Sequence, residues 1–157
     1  MDGNFVSRSA FWMALLIGLG ALSAEAAQPV KYGAVENYFL KNTIRPAEGE
    51  SALSGILRTQ EQFDSHFGPA AVMWRNQRFL SKDFFNSGVI LFFAEWGDTP
   101  WQYKIQSVTR DGNVLTVSYT RAGEPSSMAT FSPCLLISVS KDLINSESVA
   151  VFKRVEQ

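Results

Sequence analysis

The 157-residue chain carries 14 Lys+Arg against 15 Asp+Glu, a balance that leaves no basic field to hold nucleic acid and no acidic tail. Its single Cys cannot close an internal disulfide, and one Cys with one His cannot supply a zinc site.

The first residues read as an export signal. Arg8 precedes an apolar run of 13 residues from Ala10 to Leu22, short of the ~20 that span a bilayer as a helix. The small residues of Ala24-Glu25-Ala26 follow, so cleavage is expected after Ala26. The alternative is an uncut membrane anchor. No cysteine follows the run, which argues against lipid attachment. Removing 26 of 157 residues leaves 131, enough for one domain with a core, and takes away Asp2, Arg8 and Glu25. The expected organisation is a signal peptide over 1–26, an N-terminal arm over 27–50 and a β-rich domain over 51–157. The mature protein would be periplasmic or extracellular, with no stable membrane anchor.

In the arm, Asn37-Tyr38-Phe39-Leu40-Lys41-Asn42 is dense in aromatic and amide groups and fits a short strand or a helical turn. Tyr38 and Phe39 either tuck the arm onto the core or form a binding surface with Asn37. Arg45 to Glu50 reads as a loop, and Ala52 to Arg58 as a short strand. A helix of barely three turns follows. Thr59 is its N-cap, Gln62 completes a Thr-x-x-Gln capping box, and Phe63 and Phe67 share one face. Gly68 is expected as its C-cap, with Pro69 preventing continuation. His66, beside the Phe pair, fits a surface or capping role. Residues 70–85 either extend the helix or form a loop, and Asp83-Phe84-Phe85 introduces the next strand.

Three strands form the centre of the chain: Val89 to Trp96, Trp101 to Val108 and Val114 to Tyr119. Gly97-Asp-Thr-Pro100 and Arg110-Asp-Gly-Asn113 separate them, as in a meander. The first strand is apolar on both faces, which predicts cover on both sides. The second alternates Trp101, Tyr103 and Ile105 against Gln102, Lys104 and Gln106. A two-residue Asp111-Gly112 turn would set Ile105 against Ser118 and oppose an apolar face to a polar one. An odd-length loop of Asp111, Gly112 and Asn113, or a bulge, brings Ile105 opposite Tyr119, with Gly112 or Asn113 at positive φ.

Farther on, Ala122 to Ser127 is a loop. Met128 to Phe131 and Leu135 to Val139 read as strands broken at Pro133. Cys134 reads as a small buried hydrophobe, with a nucleophile or an intermolecular bridge as the sharper alternative. Val149 to Val155 closes the fold. The fold class is mainly β: an antiparallel β-sandwich or open barrel of six to seven strands with one short α-helix.

Chemistry-bearing patterns are sparse. There is no Gly-x-Ser-x-Gly elbow, no Gly-x-Gly-x-x-Gly loop and no Walker pattern. No catalytic, cofactor-binding or metal-binding residue is assigned. Glu36, Asp83, Glu95 and Asp98 would have to converge in space to serve a hydrolase. Trp96, Asp98, Trp101 and Tyr103 flank one turn. There the aromatics either plug one end of the sandwich or form a platform for a sugar or a protein. Glu124 lies on a second candidate binding loop.

From Asp83-Phe84 to Val155 the chain resembles the carboxy-terminal domain of PrcB-type proteins, the protease-complex stabilising family. Asp83-Phe84, Ile105-Gln-Ser-Val108, Leu115-Thr-Val117 and Pro133 match that pattern in order. Thr99-Pro-Trp-Gln-Tyr103 replaces the family's Thr-Gly-Gly-Tyr turn. Asn37-Tyr38-Phe39, Lys41-Asn42, Phe63, Phe67-Gly68-x-Ala70 and Asp83-Phe84 also resemble small exported bacterial proteins. These resemblances imply an exported, non-catalytic protein-binding domain without cofactor, associated with a protease as stabiliser or inhibitor. The alternatives are a glycan- or ligand-binding module and, third, a hydrolase.

Overall fold

A computed structural model describes residues 26–70 and 79–156; residues 1–25, which hold nearly all of the expected signal peptide, residues 71–78 and residue 157 lie outside the described residues. Among the described residues there are ten strands: β1 (Gln28–Pro29), β2 (Tyr32–Ala34), β3 (Tyr38–Leu40), β4 (Ala52–Leu57), β5 (Phe67–Pro69), β6 (Gly88–Glu95), β7 (Gln102–Asp111), β8 (Val114–Ala122), β9 (Cys134–Ser140) and β10 (Val149–Arg154). The described residues also form two short helices, α1 (Gln60–His66) and α2 (Phe84–Ser87), and a 3-10 turn at Lys141–Leu143. The fold is mainly β, as expected, but the strand count exceeds six to seven because the arm contributes β1, β2 and β3 and the expected helix end contributes β5.

The strands form two four-stranded sheets, ordered β1-β7-β8-β10 and β2-β9-β6-β4, and a β3-β5 pair. One core lies between the large sheets and holds Val89, Leu91, Val108, Leu115, Val117 and Ile137. A second covers the outer face of the β6 sheet, where Ile90, Phe92 and Leu136 meet Phe63, Phe67 and Phe85. Strand β6 is thus covered on both sides, as its apolar pattern requires. Phe63 is 1% exposed, and burying a side chain of that size stabilises by about 2–3 kcal/mol.

The three central strands are not a meander in one sheet. Strand β6 is paired on both edges, by β4 and β9, so the chain crosses to the other sheet before β7. The same saturation corrects residues 128–131. They form no strand, because β6 and β8 have no free edge left to pair them; only Phe131 makes an isolated bridge, to Gly97. Pairing is antiparallel except between β8 and β10. The chain leaves β8, runs through β9 in the other sheet and returns in the same direction, the long crossover that a parallel pair needs.

In the β7–β8 hairpin, Asp111 pairs with Val114, so the loop is Gly112-Asn113 rather than three residues. Gly112 takes φ +55°. The bulge sits farther up, between Ile105 and Ser107, and it is what sets Ile105 opposite Tyr119. Without it, Ile105 and Val108, three residues apart, would point to opposite faces.

Helix α1 begins as its sequence specifies: Thr59 accepts a hydrogen bond from the Gln62 amide at 3.2 Å. The reciprocal bond is displaced by one residue, the Gln62 side chain accepting from the Arg58 amide at 2.7 Å. The helix spans seven residues, not three turns, and Gly68 is not its C-cap. Gly68 is in β5 opposite Phe39, where a Cβ would meet the Phe39 ring at 3.0 Å. The pairing with β3 draws the chain out of the helix before a left-handed cap forms. Residues 84–87, expected to lead directly into a strand, form α2 instead.

Candidate functional site

The ends of β6, β7 and β8 build the most chemically distinctive corner of the molecule. Period two carries Val89, Leu91 and Phe93 inward on β6, and Glu95 follows them. The same rule carries Leu115, Val117 and Tyr119 inward on β8, and Arg121 follows. The two charges meet: the Arg121 guanidinium donates to the Glu95 carboxylate, with side chains 19% and 17% exposed. Tyr103 donates its hydroxyl to the other carboxylate oxygen at 2.7 Å. Trp101 lies over Arg121, ring centroid 3.9 Å from the guanidinium carbon. Arg121 Nε is buried without a hydrogen-bond partner among the described residues. Phe93 packs against Tyr103, Tyr119 and Phe152 beneath this network.

The environment shifts the tyrosines. Burial, then the hydrogen bond to Glu95, holds the Tyr103 hydroxyl well above its ordinary range. Burial, then the Glu95 charge, raises Tyr119 as well. Both remain protonated at neutral pH.

Two loops rise from the same corner. Residues 97–100 join β6 to β7, and residues 123–133 join β8 to β9. They are tied together: Ser126 N donates to Asp98 O at 2.8 Å, and Gly97 and Phe131 exchange bonds of 3.2 and 2.7 Å. Glu95 N adds a bond to Pro133 O at 3.2 Å. Above these ties Met128 is 94% exposed.

The sequence candidates divide. Asp98, Trp101, Tyr103 and Glu124 belong to this corner. Asp98 accepts from the Thr99 hydroxyl at 2.9 Å, and Glu124 is exposed on the longer loop. Trp96 does not join Trp101 in a platform: it packs half-buried against the outer core, on the other side of the β6 sheet. Asn37, Tyr38 and Phe39 are elsewhere. Asn37 turns the chain at φ +67°. The Tyr38 ring meets Phe63 edge-on at 4.9 Å, and its hydroxyl accepts from Leu80 N at 2.9 Å. Tyr38 thus tucks the arm onto the core, while Phe39 is 48% exposed.

The four dispersed acids have separate surroundings. Glu95 is engaged by Arg121 and Tyr103, Glu36 is exposed beside β2, Asp83 precedes α2, and Asp98 bonds Thr99. His66 Nδ1 is 2.9 Å from Gln62 O within its own helix. Cys134 is half-buried, and burial pushes its thiol up to about 11. Arg121 was missing from the sequence candidates; extending the inward parity of Leu115, Val117 and Tyr119 by one step finds it. No family model matches the chain, and neither a curated protein nor a solved structure does.

Proposed function

We propose that this chain is an exported, non-catalytic protein-binding domain that acts on or with a protease. Its binding end is the pair of loops at residues 97–100 and 123–133. The observation that carries the reading is Met128, 94% exposed on a loop anchored at both ends. Covering that side chain on binding would remove apolar surface from water, and an anchored loop loses little entropy on binding. Export is supported by the apolar run and small-residue motif before Ala27. The protease is supported by the PrcB-type resemblance. The tryptophans give less support to a sugar platform, since Arg121 already covers one face of Trp101.

The test is a pull-down with the mature chain, 27–157, from envelope and culture fluid, read by mass spectrometry. A recovered protease is then assayed with and without the protein. Raised or prolonged activity identifies a stabiliser, and lowered activity an inhibitor. Met128→Asp is expected to abolish capture without lowering stability. Recovery of no protein partner sinks the reading.

A further inference from the structure

The two large sheets are joined on one side by a single segment. Residues 28–29 add as β1 to the outer edge of β7, opposite Arg110 and Thr109, and Val30 N donates to Val108 O at 2.8 Å. The chain then crosses and adds as β2 to β9, opposite Ile137, Ser138 and Val139, and Val35 N donates to Leu136 O at 3.0 Å. There the segment leaves the seam. Six residues of β7, from Gln102 to Ser107, keep an outer edge with no backbone partner among the described residues. Facing that edge is a groove of about 450 Å³, lined by the apolar Ile105, Val35, Leu135 and Ala34 and by the charged Glu36 and Lys104.

We propose that this groove binds an extended, acidic segment of a partner protein, which adds to β7 as an antiparallel strand in line with β1. Six residues of β-strand run about 20 Å. The open edge supplies main-chain donors and acceptors, and the apolar lining residues take every second side chain of the guest. The chain itself demonstrates the mode, since residues 28–30 bind the other end of the same edge in this way. Charge selects the guest at the edge itself, where Lys104 is the one charged residue from Gln102 to Ser107; Glu36 lines the groove beyond that edge strand. Lys104 is exposed at the middle of the free edge. Pairing β7 of one copy with β7 of another about that point would set lysine against lysine, which disfavours a second copy. An Asp or Glu on the outward face of the guest meets Lys104 instead. The groove adjoins the loop end through Trp101, Tyr103 and Cys134, which also line it, but the strand addition does not depend on the partner being a protease.

The experiment uses the purified protein and two fluorescein-labelled peptides, Ser-Val-Asp-Val-Glu-Val-Ser and its counterpart with both acids replaced by Lys. Anisotropy is expected to give saturable binding of the acidic peptide, with Kd of about 10–100 μM, and weaker binding of the basic one. Amide NMR is expected to shift residues 102–107 and leave β10 unchanged. Ala34→Trp fills the groove and is expected to weaken binding at least tenfold. Lys104→Glu alters only an exposed side chain and is expected to invert the preference between the two peptides. No saturable binding up to 1 mM, shifts confined to another surface, or indifference to Lys104→Glu each overturn the proposal. Protection of residues 102–107 on concentrating the protein alone would assign the groove to a second copy and overturn it too.

Discussion

Glu95 and Arg121 show how one residue can be costly alone and dispensable in company. Each is largely withdrawn from water, so its charge is tolerated only because the other is present. Arg121→Leu leaves the carboxylate with only Tyr103, and we expect a loss of about 2–3 kcal/mol, below the fully buried figure because both side chains keep some solvent. The double variant Glu95→Leu/Arg121→Leu is expected to lie closer to wild type than either single variant. It removes both charges, together with the unpartnered Arg121 Nε. Urea unfolding of the four proteins checks this, and additive losses would refute it. Cys134 offers a second test. Its thiol is raised from 9.0 to about 11 in the folded protein, so between those values the unfolded chain ionises first. The stabilisation by the neutral thiol is complete below about pH 9 and declines as pH rises through 11. Cys134→Ala is expected to flatten that decline, and thiol labelling of the wild type at pH 8 to be slow.

At the scale of the element, the β7 bulge is the device that matters most. Trp101, Tyr103 and Ile105 keep period two, and Val108 then breaks it by one residue; that break is the bulge, visible in the sequence once Val108 is required to face inward. Deleting Gln106 would leave Ile105 and Val108 two apart and still inward. We therefore expect a folded protein, with a loss of about 1 kcal/mol or less from local repacking. Deleting Lys104 would turn Tyr103 and Trp101 outward and break the Tyr103–Glu95 bond. Near-ultraviolet circular dichroism and thermal melting distinguish the two. In α1, Thr59→Ala removes a cap bond and should cost about 1 kcal/mol. The Thr59 cap was legible because capping is local. The helix end was not, because Gly68 is drawn into β5 by Phe39, a residue 29 positions earlier.

For the whole molecule, closure depends on two joints. On one side the segment through Val30 stitches β7 to β9. On the other, β4 and β10 lie together, and Arg58 donates to Asn145 O and Ser148 O at 3.1 and 3.3 Å. Substituting Val30, 9% exposed between the sheets, by Asp should therefore unfasten the first joint. We expect a fall in stability of about 3 kcal/mol or more, with hydrogen exchange accelerating in β1, β2 and the near half of β7 before β6. Uniform acceleration would show that the joint is not a separate unit.

The sequence alone determined the mainly β class, the doubly covered β6 strand, the Thr59 cap and the opposition of Ile105 to Tyr119. Each follows from residues within one or two elements, where periodicity and turn chemistry act. Only the tertiary structure decided that β6 and β7 lie in different sheets, that β10 runs parallel to β8, and that residues 128–131 form a loop. Those outcomes depend on which strand edges are already occupied, and edge occupancy is a property of the assembled sheets. The same holds for the binding candidates. Trp96 and Trp101 are five residues apart, yet they lie on opposite sides of the β6 sheet. Glu95 and Arg121, 26 apart, meet because two strands direct them into one interior.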